Sequence, residues 1–386
     1  MKHYLQFYAV IIPGLELLAV QELASLSAHD IRKEQGGVRF SGTLDTLYRV
    51  SLRARCITRL QVRVGKCHAM QWAELQHHVA NMAWERFIPK GAKISVHASA
   101  EKSKLMHTDK IAEHVFNGIH DALGKRLHKS NASEQRVYVH ITNNRCDIRV
   151  DASGERLDRR GYRLQSAKAP MRETLAAAVL QWMDWQQDQP LIVPMCGSGT
   201  LAIEAALLAR KIAPNMQHDF PFKDWDIFKG KDWKRVFDKT NSMVRDALPI
   251  KIQVSDVHTG AIAACRDNAQ RAGVLADLDV QQLDVRKLKV GNDQPTGLIL
   301  CNPPYGLRID MDGVQFYRDL GHVLRDSFQG WRAAVMCPDW KHEKALALPV
   351  RRRLRVKHGG LWLDVLDVSS NDVERAGKMN DQKVQA

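Results

Sequence analysis

The order of hydrophobic and polar residues divides the chain into stretches of different character. Over residues 1–65 the apolar positions predict a strand, a helix, a strand, a helix and a strand, which indicates a small α+β module. Residues 66–155 alternate a helix, a strand, a long helix and a pair of strands. From residue 171 to residue 368, strands and helices alternate and end in an antiparallel hairpin, which is typical of a doubly wound sheet. The fold class is therefore α/β, with an α+β region before it.

Two stretches outside these units are strongly polar. Residues 156–170 are unusually basic and read as a linker or an extended arm, and residues 369–386 form a polar tail. The whole chain of 386 residues has a formal net charge of +14. A surplus of this size favours a polyanionic partner, because Lys and Arg displace counterions from phosphates. Four side chains of the basic stretch are predicted to contact phosphates of such a partner: Arg159, Arg160, Arg163 and Lys168.

Cysteine usage and hydropathy narrow the class of protein further. The seven cysteines form no Cys-x-x-Cys pair and their number is odd, which argues against a disulfide framework and a thiolate zinc site. A reducing cytoplasm fits this pattern, and no metal is expected. No apolar run approaches the roughly 18–20 residues that a membrane-spanning helix needs, so no membrane partner is expected.

A glycine-rich turn joins a predicted strand to a predicted helix at Pro194–Thr200. Gly197 and Gly199 let the backbone turn tightly and approach a ligand, although a purely structural turn explains such a pair about as well. Asp256 closes the next predicted strand, and Asp284 follows the one after. A carboxylate at the first position can bind ribose hydroxyls, and one at the second can contact an adenine edge. Each aspartate alone also fits a helix cap, but the pair at successive strand ends favours a nucleoside site.

The most specific segment is Asn302-Pro303-Pro304-Tyr305, directly after a predicted strand over 297–301. The Asn302 amide oxygen and the Pro303 carbonyl can each accept one hydrogen of an amino group. This arrangement holds the nitrogen lone pair toward an incoming methyl group. The two prolines keep the backbone rigid, and Tyr305 offers a ring on which a base can stack.

Five motifs together carry a resemblance to a known family. They are Gly36-Gly-Val-Arg-Phe40, Arg160-Gly-Tyr-Arg163, Glu173-Thr-Leu-Ala-Ala-Ala178, Pro194-Met-Cys-Gly-Ser-Gly-Thr-Leu-Ala-Ile-Glu204 and Asn302-Pro-Pro-Tyr-Gly306. The set resembles the THUMP-containing class I RNA guanine-N2 methyltransferases over residues 1–368. The resemblance implies a ferredoxin-like domain over 1–65, a THUMP RNA-binding domain over 66–155 and a methyltransferase domain over 171–368.

The resemblance also implies a cofactor and a set of site residues. S-adenosylmethionine is the expected methyl donor, and RNA, either 23S rRNA or a ribosomal precursor, is the expected partner. Asp256 is expected to bind the ribose and Asp284 the adenine amine. The cofactor pocket is expected to be lined by Thr174, Pro194, Cys196, Gly197 and Gly199. The target base is expected to be held by Asn302, Pro303, Pro304 and Tyr305.

The chain departs from the family pattern at two positions near the expected cofactor. Val193 stands where the family has an aspartate, and His258 replaces the second acid of an Asp-x-Asp sequence. Either the pocket compensates for these changes or cofactor binding is weakened, and for Val193 we expect weaker binding than in relatives that keep the aspartate. Guanine N2 of large-subunit rRNA is the favoured target. The alternatives are a tRNA guanine-N2 enzyme, a DNA adenine-N6 methyltransferase and an RNA-binding assembly factor without catalysis.

Overall fold

The computed structural model describes residues 4–124, the backbone of 128–129, and residues 135–164, 171–290, 295–304 and 313–369. The chain divides into two units, and each is assembled from separate segments. Unit 1 comprises Met1–Ile11, Ala19–Leu157 and Asn215–Ser242. Unit 2 comprises Ile12–Leu18, Asp158–Pro214 and Met243–Ala386.

The main part of unit 1 is one mixed sheet with helices. Its elements are β1 (Leu5–Ile11), α1 (Glu16–Ser25), β2 (His29–Glu34), β3 (Gly37–Gly42), α2 (Leu44–Arg53), β4 (Ile57–His68), α3 (Trp72–Ala80), β5 (Lys93–Glu101), α4 (Thr108–Leu123), β6 (His128–Lys129), β7 (Gln135–Thr142) and β8 (Arg145–Asp151). The eight strands lie in the order β2-β3-β1-β4-β8-β7-β5-β6. The β5–β7 and β5–β6 pairs are parallel, and the other pairs are antiparallel.

The two faces of this sheet differ in chemistry. Phe7 pairs with Val62, Val62 with Val150 and Val150 with Val137, so one face carries buried apolar side chains across four strands. Because side chains alternate along a strand, the intervening residues point to the opposite face. We call that second, polar face the open face. The alternation explains why most of the strands of this unit could be predicted from hydropathy.

The elements that follow along the chain are α5 (Glu173–Trp182), β9 (Leu191–Val193), α6 (Thr200–Ala209), α7 (Gly230–Asn241), β10 (Ile252–Asp256), α8 (Thr259–Arg271), β11 (Leu278–Gln282), β12 (Leu298–Cys301), α9 (Gly313–Ser327), β13 (Arg332–Cys337), α10 (Trp340–Leu346), β14 (Val350–His358) and β15 (Leu361–Ser369). Apart from α7, these elements belong to unit 2. Its strands lie in the order β11-β10-β9-β12-β13-β15-β14.

This seven-stranded sheet confirms the predicted doubly wound class. The five neighbouring strands β11, β10, β9, β12 and β13 are parallel to one another. Strands β15 and β14 complete the sheet with antiparallel pairing. The chain builds outward from β9 in one direction through β10 and β11, and in the other through β12 and β13. The reversal opens a crevice at the carboxyl ends of β9 and β12, which is where doubly wound sheets bind ligands.

Residues 215–242 interrupt the alternating strands and helices of unit 2 along the chain, and they belong to unit 1 instead. Tyr48 of α2 is fully buried there, and its ring contacts those of Phe222, Phe228 and Trp233. The backbone N–H of Lys229 donates to the Tyr48 hydroxyl at 2.9 Å. Burial raises the pKa of this tyrosine to about 12, so its hydroxyl stays protonated and free to donate. We call residues 215–242 the return segment.

The sequence did not predict four of the observed helices and strands: β2, β6, α7 and α10. Strand β2 is an edge strand with the polar sequence His-Asp-Ile-Arg-Lys-Glu, so it lacks the alternation that reveals a half-buried strand. Helix α7 lies in the return segment, where no structure was expected. Within the described parts of the chain, no helix combines the length and apolarity that a membrane span requires.

Candidate active site

The glycine turn lies at the carboxyl end of β9, where the sheet order reverses. Met195, Gly197 and Gly199 have positive φ angles of 53°, 53° and 85°, so the loop folds back on itself before α6 begins at Thr200. A Cβ atom at Gly199 would lie 2.5 Å from the Cys265 sulfur, so only glycine fits there. The loop thus presents backbone groups and the amino end of a helix to the crevice.

Asp256 ends β10 beside this loop and holds it in place. One carboxylate oxygen accepts from the Gly197 N–H at 2.9 Å, and the other accepts from the His258 N–H at 2.9 Å. The side chain is largely buried, and each oxygen keeps a further acceptor site. The structure therefore brings together two residues that the sequence assigned to one cofactor pocket.

Asn302 follows β12, the strand next to β9, so it lies on the same edge of the sheet as the glycine loop. Its Oδ1 atom is buried and has no hydrogen-bond partner among the described residues. An unmade hydrogen bond at a buried acceptor is costly, so such an atom calls for a donor. Pro303 is buried, Pro304 is half-buried, and Tyr305 lies outside the described residues.

Thr174, the expected cofactor contact on α5, is fully buried, and its hydroxyl oxygen has no partner in the described part of the chain. The neighbouring Glu173 forms a 2.9 Å ion pair with Arg163. Burial is the main cause that raises the pKa of Glu173 to about 7, and the Arg163 charge opposes it. The amino end of α5 therefore carries an acid that titrates near neutral pH.

Two of the four residues predicted to bind RNA phosphates are engaged in ion pairs, and the prediction was wrong for Arg160 because its side chain is buried, whereas for Arg163 it stays a prediction. The Arg160 side chain is 1% exposed and lies 3.7 Å from the Glu204 carboxylate of α6. Arg163 donates to the Met171 carbonyl at 2.7 Å as well as pairing with the glutamate of α5. Buried carboxylates require a cation, and these two arginines supply it.

The other two predictions have different outcomes. Arg159 is exposed, and its role at RNA stays a prediction, while Lys168 lies outside the described residues. A sequence signal for the interior pairs does exist. Glu173 and Glu204 each stand in an otherwise apolar helical run, where an acid needs a partner.

Asp284 lies just after β11 and is occupied by a neighbour. It caps a short 3₁₀ turn by accepting from the Arg286 N–H at 2.9 Å, and the Arg286 guanidinium contacts both carboxylate oxygens. These hydrogen bonds lower the pKa of Asp284. Its contact with an adenine amine stays a prediction, and the arginine would have to share the carboxylate with that ligand.

The two positions that depart from the family pattern also have clear surroundings. Val193 is the last residue of β9 and is completely buried, paired with Val254 of the adjacent strand. His258 occupies the N-cap position of α8, and its side chain makes no capping hydrogen bond. At position 193, an acidic side chain is therefore replaced by a residue that packs in the sheet.

The cysteines nearest the site are not poised as nucleophiles. Burial raises the pKa of Cys301 to about 12. A hydrogen bond with Cys265, together with burial, raises the pKa of Cys196 far above neutrality. Both thiols stay protonated at neutral pH, and a thiol is a poor nucleophile. The described residues contain no group of three His, Cys, Asp or Glu side chains arranged to hold a metal.

Comparison with known families agrees with this geometry. Residues 160–364, more than half of the chain, match the RMKL-like methyltransferase domain. The chain belongs to this methyltransferase family. Residues 6–61 match the RlmL ferredoxin-like domain, and residues 71–151 match the THUMP domain. These matches confirm the resemblance to the THUMP-containing methyltransferases, and the ferredoxin-like domain is of the RlmL type.

Individual relatives of this RMKL-like methyltransferase extend over almost all of it. A Synechocystis protein named as a candidate RNA methyltransferase is 31% identical over 92% of this chain and 94% of its own length. The ribosomal RNA large subunit methyltransferase K/L of Methylococcus capsulatus is 34% identical over 92% of this chain. The chain spans only 50% of that longer protein. The crystal structure of SMU.472, a candidate methyltransferase complexed with SAH, superimposes with a TM-score of 0.87 at 26% identity, covering 97% of this chain and all of that one.

Proposed function

We propose that this methyltransferase transfers a methyl group from S-adenosylmethionine to the exocyclic N2 of a guanine in RNA, with 23S rRNA as the substrate. The ribosomal names of its relatives and the surplus of positive charge support an RNA substrate. A ribosomal substrate also supports a cytoplasmic location. This proposal takes the substrate from a protein that matches 92% of this chain, although the chain spans only 50% of that relative's length.

The observation that carries the proposal is the buried Oδ1 atom of Asn302, which has no hydrogen-bond partner in the described part of the chain and lies at the same sheet edge as the glycine loop. An amide oxygen at this point accepts a hydrogen from an amino group, and the adjacent Pro303 carbonyl is placed in sequence to accept the other. A ring nitrogen or a carbon nucleophile would not offer two hydrogens. The arrangement therefore supports an exocyclic amine as the acceptor of the methyl group.

The residues around the loop fit the proposed cofactor. Asp256 retains acceptor capacity for ribose hydroxyls, and Thr174 offers a buried hydroxyl that lacks a partner among the described residues. The helix that starts at Thr200 directs backbone N–H groups toward the crevice. S-adenosylmethionine supplies a methyl group already activated by its sulfonium charge. The protein's part is then to bind, to exclude water and to align the amine.

Alignment requires that the target base leave its stack. A guanine that is extruded from the RNA can enter the crevice and present N2 to Asn302 and Pro303. Tyr305 is proposed to stack against the base. Because the buried thiols are protonated, the proposed transfer is direct, and no covalent enzyme intermediate is involved.

The test offers the purified full chain three acceptors with methyl-labelled S-adenosylmethionine: unmodified 23S rRNA, a tRNA transcript and duplex DNA. We expect N2-methylguanosine from 23S rRNA, identified by mass spectrometry of the digested nucleosides. Asn302→Ala is the matched control and should yield almost no product. Label only in tRNA would favour the tRNA alternative, and N6-methyladenine only in DNA would favour a DNA enzyme. Failure to bind the cofactor in calorimetry would favour a non-catalytic assembly factor.

A further inference from the structure

Unit 1 carries a second concave surface, built from elements other than those of the glycine loop. A cavity of about 580 Å³ opens on the sheet, and every residue that lines it belongs to unit 1. This volume falls in the range of small-molecule and nucleotide pockets. We call it the open-face cavity and define it by six residues: Tyr8, Gln61, His97, Tyr138, Asp147 and Arg149.

The register of the strands places flat side chains next to one another in this cavity. Arg149 of β8 lies opposite Tyr138 of β7, and Tyr138 lies opposite His97 of β5. The rings of His97 and Tyr138 stack with centroids 5.3 Å apart and an interplanar angle of 24°. The Arg149 guanidinium lies 3.9 Å from the centre of the Tyr8 ring. Four planar groups thus form a row across the sheet.

His97, at one end of this row, is exposed to solvent. Burial of the ring and the charges of Arg136 and Arg59 lower its pKa, so the imidazole is neutral at physiological pH. A neutral ring that is already stacked on a tyrosine offers a ready surface for another aromatic group. Nucleic-acid bases use such surfaces when they are unpaired.

The charges around the row favour an anionic or acceptor-rich ligand. Asp147 is shared by two arginines, Arg63 at 2.8 Å and Arg149 at 2.9 Å. Asp151 is likewise shared by Arg59 and Arg136. The cavity lining also includes Glu101 and Glu34, and Glu34 is paired with Arg39. Arginines outnumber carboxylates within the Asp147 and Asp151 clusters, so the positive surplus belongs to these clusters beside the cavity. A phosphodiester chain that crosses this face would meet cations that are only half neutralised.

One buried donor in the cavity lacks a partner. Arg149 is 8% exposed, and its Nε atom has no hydrogen-bond acceptor among the described residues. Leaving a buried charged donor unsatisfied is costly, so a ligand with acceptor oxygens gains from contacting it. Phosphate oxygens and base carbonyls are both suitable acceptors.

We propose that the open-face cavity binds an unpaired nucleotide of the RNA substrate. Its base stacks on the His97–Tyr138 pair, and its acceptor oxygens face Arg149. This inference rests on the proposed function in taking RNA as the partner, and it names a second contact point outside the methyl-transfer crevice. A base in a duplex has both faces covered by its neighbours, so the cavity selects single-stranded segments, loops and bulges.

The test measures fluorescence anisotropy of a labelled single-stranded RNA of about 12 nucleotides, within the span of known single-strand sites. The full chain is compared with His97→Ala and Tyr138→Ala. We expect each variant to bind about tenfold more weakly, or worse. Trp72→Ala is the matched control, because Trp72 stacks on His114 at 5.2 Å and 18° in helices α3 and α4, outside the cavity. This control should bind as the wild type does.

Two results would overturn the proposal. One is unchanged affinity of both variants, and the other is equal binding of a duplex of the same sequence. Methylation assays separate this proposal from the proposed function. If the wild type methylates 23S rRNA while both variants bind RNA normally, the cavity assignment fails and the function stands. If RNA binding depends on His97 and Tyr138 but no methyl reaches RNA, the function fails and the cavity assignment stands.

Discussion

Replacing Asn302 by alanine separates a catalytic acceptor from a structural one. The Oδ1 atom is buried without a partner among the described residues, so the folded protein bears the cost of removing it from water. That cost is about 1–3 kcal/mol for a buried polar group. Asn302→Ala removes the group, so we expect the free energy of unfolding to stay level or to rise by up to about 2 kcal/mol.

The methyl-transfer activity of Asn302→Ala should fall, although its stability is expected to stay level or to rise. A positioned polar group of this kind commonly contributes about 3–4 kcal/mol to the transition state, or a factor of about 10²–10³ in rate. Cofactor affinity should be nearly unchanged, because the amide is proposed to contact the target amine. Asn302→Asp keeps an acceptor but adds a negative charge beside the sulfonium, and we expect it to be impaired as well.

The assays are urea unfolding, calorimetric titration with S-adenosylmethionine and single-turnover methyl transfer to RNA. Asn215→Ala is the matched control for stability, since Asn215 is equally an asparagine but is satisfied: its amide donates to the Ser51 carbonyl at 2.8 Å. That variant should lose about 1–3 kcal/mol. Our reasoning is refuted if Asn302→Ala loses as much stability as Asn215→Ala while turning over at the wild-type rate.

Three further predictions concern charges. Arg159→Ala should weaken RNA binding and reduce the slope of log affinity against log salt concentration by about one unit. Arg160→Ala should leave that slope unchanged and lower the free energy of unfolding, measured in urea, by about 3–5 kcal/mol. Equal salt slopes in the two variants would contradict this. Val193→Asp should lower the free energy of unfolding by several kcal/mol, which is on the order of the cost of a buried charge. Calorimetry should show no tighter binding of the cofactor. A tenfold gain in cofactor affinity would show that the pocket accepts the acid. The pKa of Glu173 in the folded protein, about 7, lies above its ordinary value, so folding takes up a proton. Its contribution to stability is therefore present at about pH 4.5 and falls as pH rises to 7, by roughly 3 kcal/mol, and Glu173→Gln should flatten this part of the curve; parallel curves for the two proteins would rule the assignment out.

The sequence could predict which candidate residues share one edge of the sheet because of a simple geometric rule. Parallel strands end at one edge of a sheet, so residues that follow different strands meet there. The glycine loop after β9, Asp256 after β10 and Asn302 after β12 are brought together in this way. Their strands are short apolar runs that hydropathy identifies, which is why the edge could be located without coordinates.

The remaining features depend on contacts between distant segments, which periodicity does not encode. Arg160 looks like a solvated linker residue until Glu204 of α6 is found beside it in the interior. Likewise, the polar edge strand β2 is held by backbone pairing with β3, and its side chains give no alternation. Arg160 was assigned to RNA because it lies near an expected RNA-binding module in the sequence, and its burial contradicts that assignment.

The return segment also sets the order in which the protein can be finished during synthesis. Unit 1 has its eight strands once residue 157 has been made, yet the aromatic rings that enclose Tyr48 belong to residues up to 242. At about 5–20 residues per second, a ribosome needs roughly 4–17 seconds to supply them. During that interval the buried surface of α2 is uncovered on the nascent chain. The N-terminal unit therefore matures only after the glycine loop has been translated, so its completion is tied to the presence of the cofactor-site sequence on the same polypeptide.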